Sequence, residues 1–376
     1  MSKSSIRVCV LTSAHPPFDT RIFHKEASSL AKAGYNVSLI VQHDRNEIVN
    51  GVRIISFPKP RNRLQRMTRT VWKVFILSLK ENANVYHFHD PELIPLGLLL
   101  KLTRRKVVYD IHEDYITSIE QKEYLPFFLR KILANVIGRI EIISSRLFTL
   151  ILAEKYYSER FPHGIEVLNY PILKREISKM LMLKKDADKP CLIYTGGISI
   201  DRGALIHANI VNLMPDVEVW MVGSCSKELA DQLYDIAGKR SARLHIEGVG
   251  YHVPYQRILE YYKTRKWAAG LAVFPPTKHY LRKELTKLFE YMANEIPIIS
   301  SNFPTWRNIV EGEQCGVCAD PLKAEEITEA IQFIISHPAE ADQMGKNGRR
   351  AVEEKYNWEM EEKKMLVFYK KVLQAM

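Results

Sequence analysis

The chain has 376 residues, of which 46% are hydrophobic and 26% are charged. This composition excludes a disordered chain, a fibrous repeat and a small disulfide scaffold, and the length predicts two or three domains. The net charge of +11 is concentrated in residues 1–170, which carry +9. The first half is therefore expected to attract phosphate-bearing partners such as a nucleotide, nucleic acid or an anionic membrane.

Strands and helices alternate along this first half. Apolar runs predict the strands, and apolar residues at helical spacing predict the helices between them. The predicted strands are 7–12, 36–41, 52–57, 85–89, 106–110, 147–152 and 166–168, and the predicted helices are 21–33 and 91–102. Gly34 is typical of a helix C-terminus, and Asp90 of an N-cap.

A charged stretch at 171–190 predicts a linker, after which the alternation starts again. The predicted strands are 191–195, 217–222, 243–247, 270–274 and 296–300, and the predicted helices are 205–213, 227–237, 255–265, 285–293 and 325–336. Alternation in both halves predicts an α/β fold with two doubly wound, Rossmann-like domains, 1–170 and 191–356, facing across a substrate cleft. Residues 357–376 are predicted to form a helix that returns to the N-terminal domain.

The cysteines and the apolar runs predict a cytoplasmic protein. Five cysteines lie mostly in apolar runs, which is typical of a reduced compartment. Cys315 and Cys318 have no second pair to complete a zinc site, so a structural role is favoured. The first apolar run, 8–11, is too short for a signal peptide, and no run reaches the roughly 18 apolar residues that span a bilayer.

Two glycines, Gly196 and Gly197, follow the first predicted strand of the second half and precede a helix. Glycines allow a ligand to approach the backbone, helix N-termini bind phosphate, and Arg202 adds a fixed positive charge. An ordinary tight turn with a solvated arginine is the more common origin of this pattern. The pattern is not G-x-G-x-x-G, so nothing here favours a nicotinamide cofactor.

Lys287 and Glu290 are three residues apart, so they share one face near the start of a predicted helix. A lysine there can pair with phosphate oxygens, and a glutamate one turn on can accept hydrogen bonds from ribose hydroxyls. On spacing alone, a surface ion pair is the more common interpretation.

Histidines lie at the ends of two predicted strands of the first half. His87 and His89 form a His-x-His pair, which can ligate a metal, although two buried core histidines are more common in a parallel strand. His112 lies at a strand exit and is the better candidate for substrate contact. A metal-dependent hydrolase built on these three histidines is one alternative function.

Residues 61–80 contain six basic residues and no acidic one. Apolar residues follow one helical stripe there, with Trp72 nearby. The segment predicts either a helix that lies on an anionic membrane or a core-packing helix with a solvated basic face; both interpretations remain open. No nucleic-acid motif accompanies it, so no nucleic-acid partner is predicted.

Taken in order, the motifs resemble those of glycosyltransferase family 4, the retaining nucleotide-sugar transferases of the GT-B fold. The motifs that carry the resemblance lie at 18–27, 33–35, 89–92, 109–115, 194–197, 286–293, 302–304, 344–348 and 356–358. The resemblance implies transfer of a sugar from a nucleotide-diphosphate sugar to a saccharide or lipid-linked saccharide. It places this step in surface polysaccharide or glycolipid assembly, at the inner face of the cell membrane. A nucleotide-sugar 2-epimerase of the same fold is a further alternative.

The resemblance also implies residue roles. Arg202 and Lys287 would bind the diphosphate, Glu290 the ribose, and His112 the donor sugar, with no metal or cofactor required. The remaining donor-side candidates are Gly196, Gly197, Glu284, Leu285 and Thr286, and the acceptor-side candidates are Asp19, Arg21, His89 and Glu113. Arg282 stands where the family usually has the first glutamate of a Glu-x7-Glu signature, which puts the donor-sugar contacts in question.

Overall fold

A computed structural model describes residues 6–121, 126–173 and 189–374. The chain divides into two compact units, which are treated separately below. The first contains residues 1–169 and 358–376, and the second contains 170–357. Most of the predicted linker, 174–188, lies outside the described residues.

The first unit is built on an eight-stranded sheet in the order β3-β4-β2-β1-β5-β6-β7-β8. Its strands are β1 (Arg7–Leu11), β2 (Asn36–Gln42), β3 (Glu47–Val49), β4 (Val52–Phe57), β5 (Val85–Phe88), β6 (Lys106–Ile111), β7 (Thr149–Leu152) and β8 (Ile165–Glu166). All neighbours are parallel except β3, which pairs antiparallel with β4. Strand order reverses between β1 and β5, so the loops after these two strands diverge there and leave room for a ligand.

Helices cover both faces of this sheet. They are Ser28–Lys32, preceded by the π-helical segment Thr20–Ala27; Arg63–Gln65, which continues through the π-helical segment Arg66–Thr70 into Val71–Glu81; Ile94–Leu102; Tyr115–Glu120; Phe127–Ser145; and the C-terminal Trp358–Gln374. Short 3₁₀ segments lie at Pro91–Leu93 and at Lys155–Glu159.

Alternation along the strands divides the core of the first unit into two. Val8 and Val10 of β1 pack under the N-terminal and C-terminal helices, whereas Cys9 and Leu11 pack under the three helices Val71–Glu81, Ile94–Leu102 and Phe127–Ser145. The C-terminal helix is held by Met365, Phe368 and Tyr369 in the first of these cores, and Trp358 donates a hydrogen bond to Ser29 Oγ over 2.9 Å.

The second unit is built on a six-stranded, fully parallel sheet in the order β11-β10-β9-β12-β13-β14. Its strands are β9 (Cys191–Thr195), β10 (Glu218–Cys225), β11 (Leu244–Val249), β12 (Ala269–Ala272), β13 (Ile298–Ser301) and β14 (Gly316–Ala319). Its helices are Ala204–Leu213, Lys227–Ala237, Tyr255–Thr264, Thr286–Ala293, Pro304–Val310, Ala324–Ser336 and Pro338–Glu354, with 3₁₀ segments at Ile200–Arg202 and Gly238–Arg243. Strand order reverses between β9 and β12.

The prediction of two doubly wound parallel sheets is confirmed. The strands 52–57 and 191–195 and the helix 227–237 have the predicted bounds. The strand β14, which contains Cys318, was not among the predicted elements because four residues carry too little periodicity. Helix Phe127–Ser145 was also missed, although apolar residues recur there at helical spacing; most of them do not lie on its buried face. Among the described residues, no helix is both long and apolar enough to cross a membrane.

Candidate donor and acceptor sites

The first candidate site lies at the switch point of the second sheet. The loop after β9 contains Gly196 and Gly197 and leads through the turn Ile200–Arg202 into a helix. Gly203, where that turn ends, has φ +78°, and a Cβ atom there would lie 2.0 Å from the Val273 carbonyl oxygen. Glycine is therefore required at 203 for the loop after β9 to pack against the chain leaving β12.

Arg202 is held in this loop by side-chain and backbone oxygens. Its Nε donates to Tyr280 Oη over 3.0 Å, and its Nη1 lies 3.5 Å from the Gly197 carbonyl oxygen. Tyr280 in turn donates to Asp201 over 3.1 Å. The guanidinium is thus oriented by neutral oxygens, and it retains donors for an incoming anion.

Lys287 lies one residue inside the helix Thr286–Ala293 and is 8% exposed. Its Nζ has no hydrogen-bond partner among the described residues and lies over the Tyr194 ring, 3.5 Å from the centroid. Burial, and then the positive charge of Arg202, lower the pKa of Lys287 well below its ordinary value. A buried ammonium beside a second cation is expected to favour an anionic ligand.

Glu290 is one turn further along the same helix. Its Oε2 accepts a hydrogen bond from Tyr262 over 3.0 Å, and its carboxylate remains half-buried. Glu284, Leu285 and Thr286 lead into the helix, with Leu285 at the N-cap position, and Glu284 accepts from Tyr170 over 3.0 Å. The helix therefore presents backbone N–H groups, a lysine and a carboxylate within two turns.

The second candidate site lies at the switch point of the first sheet. Asp90, after β5, accepts hydrogen bonds from Thr12 Oγ1 over 2.8 Å and from the Ser13 backbone N–H over 2.6 Å, both after β1. Its other oxygen lies 3.2 Å from His15 Nδ1. Burial alone would lower the pKa of His15, but the hydrogen bond and charge of Asp90 raise it to about 9.

His112 follows β6 and completes this group. Its Nε2 lies 3.3 Å from His15 Nε2. Burial and the charge of His15 lower the pKa of His112, so a neutral His112 beside a protonated His15 is favoured at neutral pH. Glu113 is exposed next to it, and Asp19 caps the following π-helical segment by accepting from the Arg21 and Ile22 backbone N–H groups. His112, Glu113 and Asp19 therefore remain candidates for substrate contact.

Two of the acceptor-side candidates, Arg21 and His89, are instead buried. Arg21 is 4% exposed and donates to Asp110 through Nη2 over 2.6 Å, with its Nε 3.0 Å from Glu26 Oε1. His89 is 0% exposed and lies 3.5 Å from Glu26 Oε2. These positions argue against direct acceptor contact, because the Asp110 carboxylate holds the Arg21 cation inside the unit and His89 is fully buried.

The three histidines of the proposed hydrolase do not form one group. Glu26, His87, His89 and Asp110 have possible ligand atoms within 4.8 Å of one another, whereas His112 belongs to a separate group with His15 and Glu113. The first group is fully buried and its Asp110 is already paired with Arg21. A hydrolytic metal needs a position open to water and substrate, so this arrangement does not favour that alternative.

Several residues that complete the two sites were not predicted. Tyr280 orients Arg202, Tyr194 lies under Lys287, and His15 pairs with Asp90. Each lies in or beside a loop and far along the chain from its partner, so no local spacing indicates the contact. Gly223 was also missed: a Cβ atom there would lie 1.7 Å from the Gly196 carbonyl oxygen, so only glycine lets the two strand ends meet.

Residues 185–351 match the family model described as "Glycosyl transferases group 1". No curated protein sequence matches the chain. Among solved structures, sucrose-phosphate synthase from Thermosynechococcus elongatus superposes with a TM-score of 0.76 at 17% identity, covering 99% of this chain and 100% of that one. HepE of Anabaena, solved with UDP-glucose, superposes with a TM-score of 0.70 at 12% identity, covering 99% and 100%.

A nucleotide-sugar epimerase also has this architecture. The putative UDP-N-acetylglucosamine 2-epimerase from Listeria monocytogenes superposes with a TM-score of 0.59 at 11% identity, covering 99% of this chain and 97% of that one. These identities show similarity of fold alone. The family match falls within the second unit and includes Arg202, Lys287 and Glu290. The chain therefore has the GT-B fold, its residues 185–351 match a glycosyl transferase group 1 domain, and these two findings together support a glycosyltransferase.

Proposed function

We propose that this enzyme transfers a sugar, with retention of configuration, from a nucleotide-diphosphate sugar to a saccharide or lipid-linked saccharide. The observation that carries the proposal is the buried Nζ of Lys287, which has no hydrogen-bond partner among the described residues and lies near Arg202. HepE, with the same fold, was solved with UDP and with UDP-glucose. Family 4 membership itself rests on the motif resemblance.

The proposed chemistry follows from charge. As the glycosidic bond to the diphosphate breaks, negative charge accumulates on the leaving phosphate oxygens. Lys287, Arg202 and the N-terminal N–H groups of helix Thr286–Ala293 would stabilise that charge, since preoriented donors in a dry site cost little reorganisation. We assign the ribose to Glu290 and the donor sugar to His112, and require no metal for these steps.

The acceptor side rests on the first unit and its charge. Residues 1–170 carry +9, which favours an acceptor or surface bearing phosphate. In segment 61–80, Val74 is fully buried while Trp72 is 61% exposed and Lys73 is exposed. The segment therefore packs one side against the core, as one interpretation predicts, and presents apolar and basic side chains to solvent, as the membrane interpretation requires. We propose that it contacts an anionic membrane at the inner face, without involvement of nucleic acid.

A transfer assay tests the proposal. The protein is incubated with radiolabelled nucleotide sugars, with and without lipid-diphosphate saccharides, and products are separated by phase partition and chromatography. We expect label to enter the lipid phase only with acceptor present. Conversion of the nucleotide sugar to its 2-epimer without acceptor would instead establish the epimerase, and no product in either arm would contradict the proposal.

Gly197→Ala is expected to weaken donor binding without unfolding the protein. Alanine is allowed at 197, where φ is not positive, but its Cβ would lie 2.7 Å from Arg202 Nη1 and displace the guanidinium. We expect about a tenfold loss in affinity for the nucleoside diphosphate, roughly 1.4 kcal/mol, measured by titration calorimetry. Ser199→Ala in the same loop is the matched control. Equal affinities for both variants would show that Arg202 does not contact the ligand.

A further inference from the structure

Helix Phe127–Ser145 is inverted relative to an ordinary surface helix. An amphipathic helix normally buries its apolar face. Here the buried residues are small or polar: Ala134, Gly138, Glu141, Ser144 and Ser145. The exposed residues are large and apolar: Phe128, Ile132, Val136, Ile140, Ile143 and, just beyond the helix, Leu147, each between 47% and 67% exposed.

The exposed apolar residues form one continuous stripe. At roughly 100° per residue, their spacing of three and four places them within an arc of about 120°. The buried residues Ala134, Gly138 and Glu141 lie on the opposite side. Gly138 is packed closely, because a Cβ atom there would lie 2.7 Å from the Ile116 side chain. The helix is therefore fixed with its apolar stripe facing outward.

The charge around the stripe has one sign. Lys131 is exposed beside the stripe, and Arg139 and Arg146 are exposed along one edge of it. The only acidic residue of the helix, Glu141, is 1% exposed and accepts hydrogen bonds from Tyr109 over 2.8 Å and Arg160 over 3.1 Å. On this helix solvent thus meets apolar and cationic side chains and the neutral Asn135, but no exposed carboxylate.

Neighbouring helices on the same face of the sheet extend this surface. Segments 61–81, 94–104 and 127–147, together called the apolar-basic face, hold fourteen of the 27 exposed large hydrophobic side chains among the described residues. Trp72 is 61% and Leu102 is 79% exposed. No exposed acidic residue lies in these three segments. Such a concentration of exposed apolar area is typical of an interaction surface.

We propose that the apolar-basic face docks the first unit onto an anionic lipid bilayer, with the stripe of helix Phe127–Ser145 inserted at the boundary between headgroups and acyl chains. Large apolar side chains flanked by lysine and arginine are suited to this interface. The inference extends the membrane contact proposed for 61–80, and it makes this longer helix the main apolar anchor.

Charge favours lipid over a second copy of the chain. In a two-fold dimer the same patch meets itself, so the basic residues flanking the stripe would face one another with no exposed acidic partner within the face. Like charges brought together at an interface oppose association. An anionic bilayer instead supplies the complementary charge.

Flotation with vesicles tests this inference on the full chain. Wild type is expected to float with vesicles containing phosphatidylglycerol and to remain unbound with pure phosphatidylcholine. Ile132→Ser/Ile140→Ser should lower the bound fraction at least tenfold, and Lys131→Gln/Arg139→Gln/Arg146→Gln should remove the preference for anionic lipid. Leu322→Ser/Val367→Ser, at residues 72% and 51% exposed outside this face, should bind as wild type does.

Transfer to a water-soluble acceptor, measured in parallel, separates this inference from the proposed function. We expect Ile132→Ser/Ile140→Ser to retain that transfer while losing vesicle binding. If wild type instead bound vesicles but transferred no sugar, the docking surface would stand and the transferase would be rejected. Wild-type flotation by the serine variant would overturn the inference. The inference would also be overturned if wild type bound no vesicles and instead formed a concentration-dependent dimer that the serine variant did not form.

Discussion

Lys287→Met is expected to lower the rate of sugar transfer at least a hundredfold while leaving the protein folded. The substitution keeps the length and apolar stem of the side chain but removes the charge that would stabilise the leaving diphosphate. Loss of one preoriented donor to a developing oxyanion costs about 10²–10³ in kcat. Steady-state kinetics measure this, and Lys283→Met, in the loop before the same helix, is the control.

The thermal stability of Lys287→Met should not fall together with its activity. A lysine whose pKa is lower in the folded than in the unfolded state carries no penalty above the unfolded pKa, about 10.4. The penalty grows as the pH falls toward the folded pKa. Without ligand, Lys287→Met should therefore melt no lower than wild type at neutral pH. A clear loss of Tm together with activity would show that Lys287 is structural.

Arg21→Met is expected to have the largest effect on stability. It would leave the buried Asp110 and Glu26 carboxyl groups without their cation. Breaking a buried ion pair by removing one partner costs about 3–5 kcal/mol, because the remaining charge is uncompensated. Denaturant unfolding measures the loss. Asp110→Asn combined with Arg21→Met should recover part of it, since the stranded charge is removed as well.

Lowering the pH should reduce the difference in the free energy of unfolding between wild type and Arg21→Met. Burial would raise the pKa of Asp110, but Arg21 holds it below its ordinary value. Wild type therefore keeps this stabilisation above about pH 4 and loses it as the pH falls toward the lowered pKa. In the variant burial acts on Asp110 without Arg21, so the pKa of this carboxyl is raised and protonation relieves its penalty before the pH has fallen to 4. A difference that stays constant from pH 7 to pH 4 would contradict the assigned ion pair.

Local signals in the chain were sufficient for the architecture. The continuous apolar run 191–195 predicts a strand buried on both sides, and helical spacing predicts the helix 227–237. Both signals lie in residues that are close together in the sequence. Gly196, Gly197, Arg202, Lys287 and Glu290 all fall at or beside one switch point, as an open parallel sheet requires.

What could not be predicted depends on contacts distant along the chain. Arg21 and His89 looked like acceptor contacts because they stand beside polar motifs, but Arg21 pairs with Asp110 and His89 lies against Glu26, each from another element. Helix Phe127–Ser145 follows the opposite rule: its apolar stripe faces outward, so hydrophobic periodicity alone would orient it wrongly. Tyr280 lies 78 residues beyond Arg202, and no spacing rule links them.

The central claim is that the second unit binds a nucleotide diphosphate through Lys287, and a thermal-shift comparison tests it most directly. Uridine, guanosine, adenosine and cytidine diphosphates are each added to wild type and to Lys287→Met, since a ligand specific to the folded state raises its Tm with occupancy. We predict that one of the four raises the Tm of wild type and leaves that of Lys287→Met unchanged. No shift with any of them, or an equal shift in both proteins, would contradict the account.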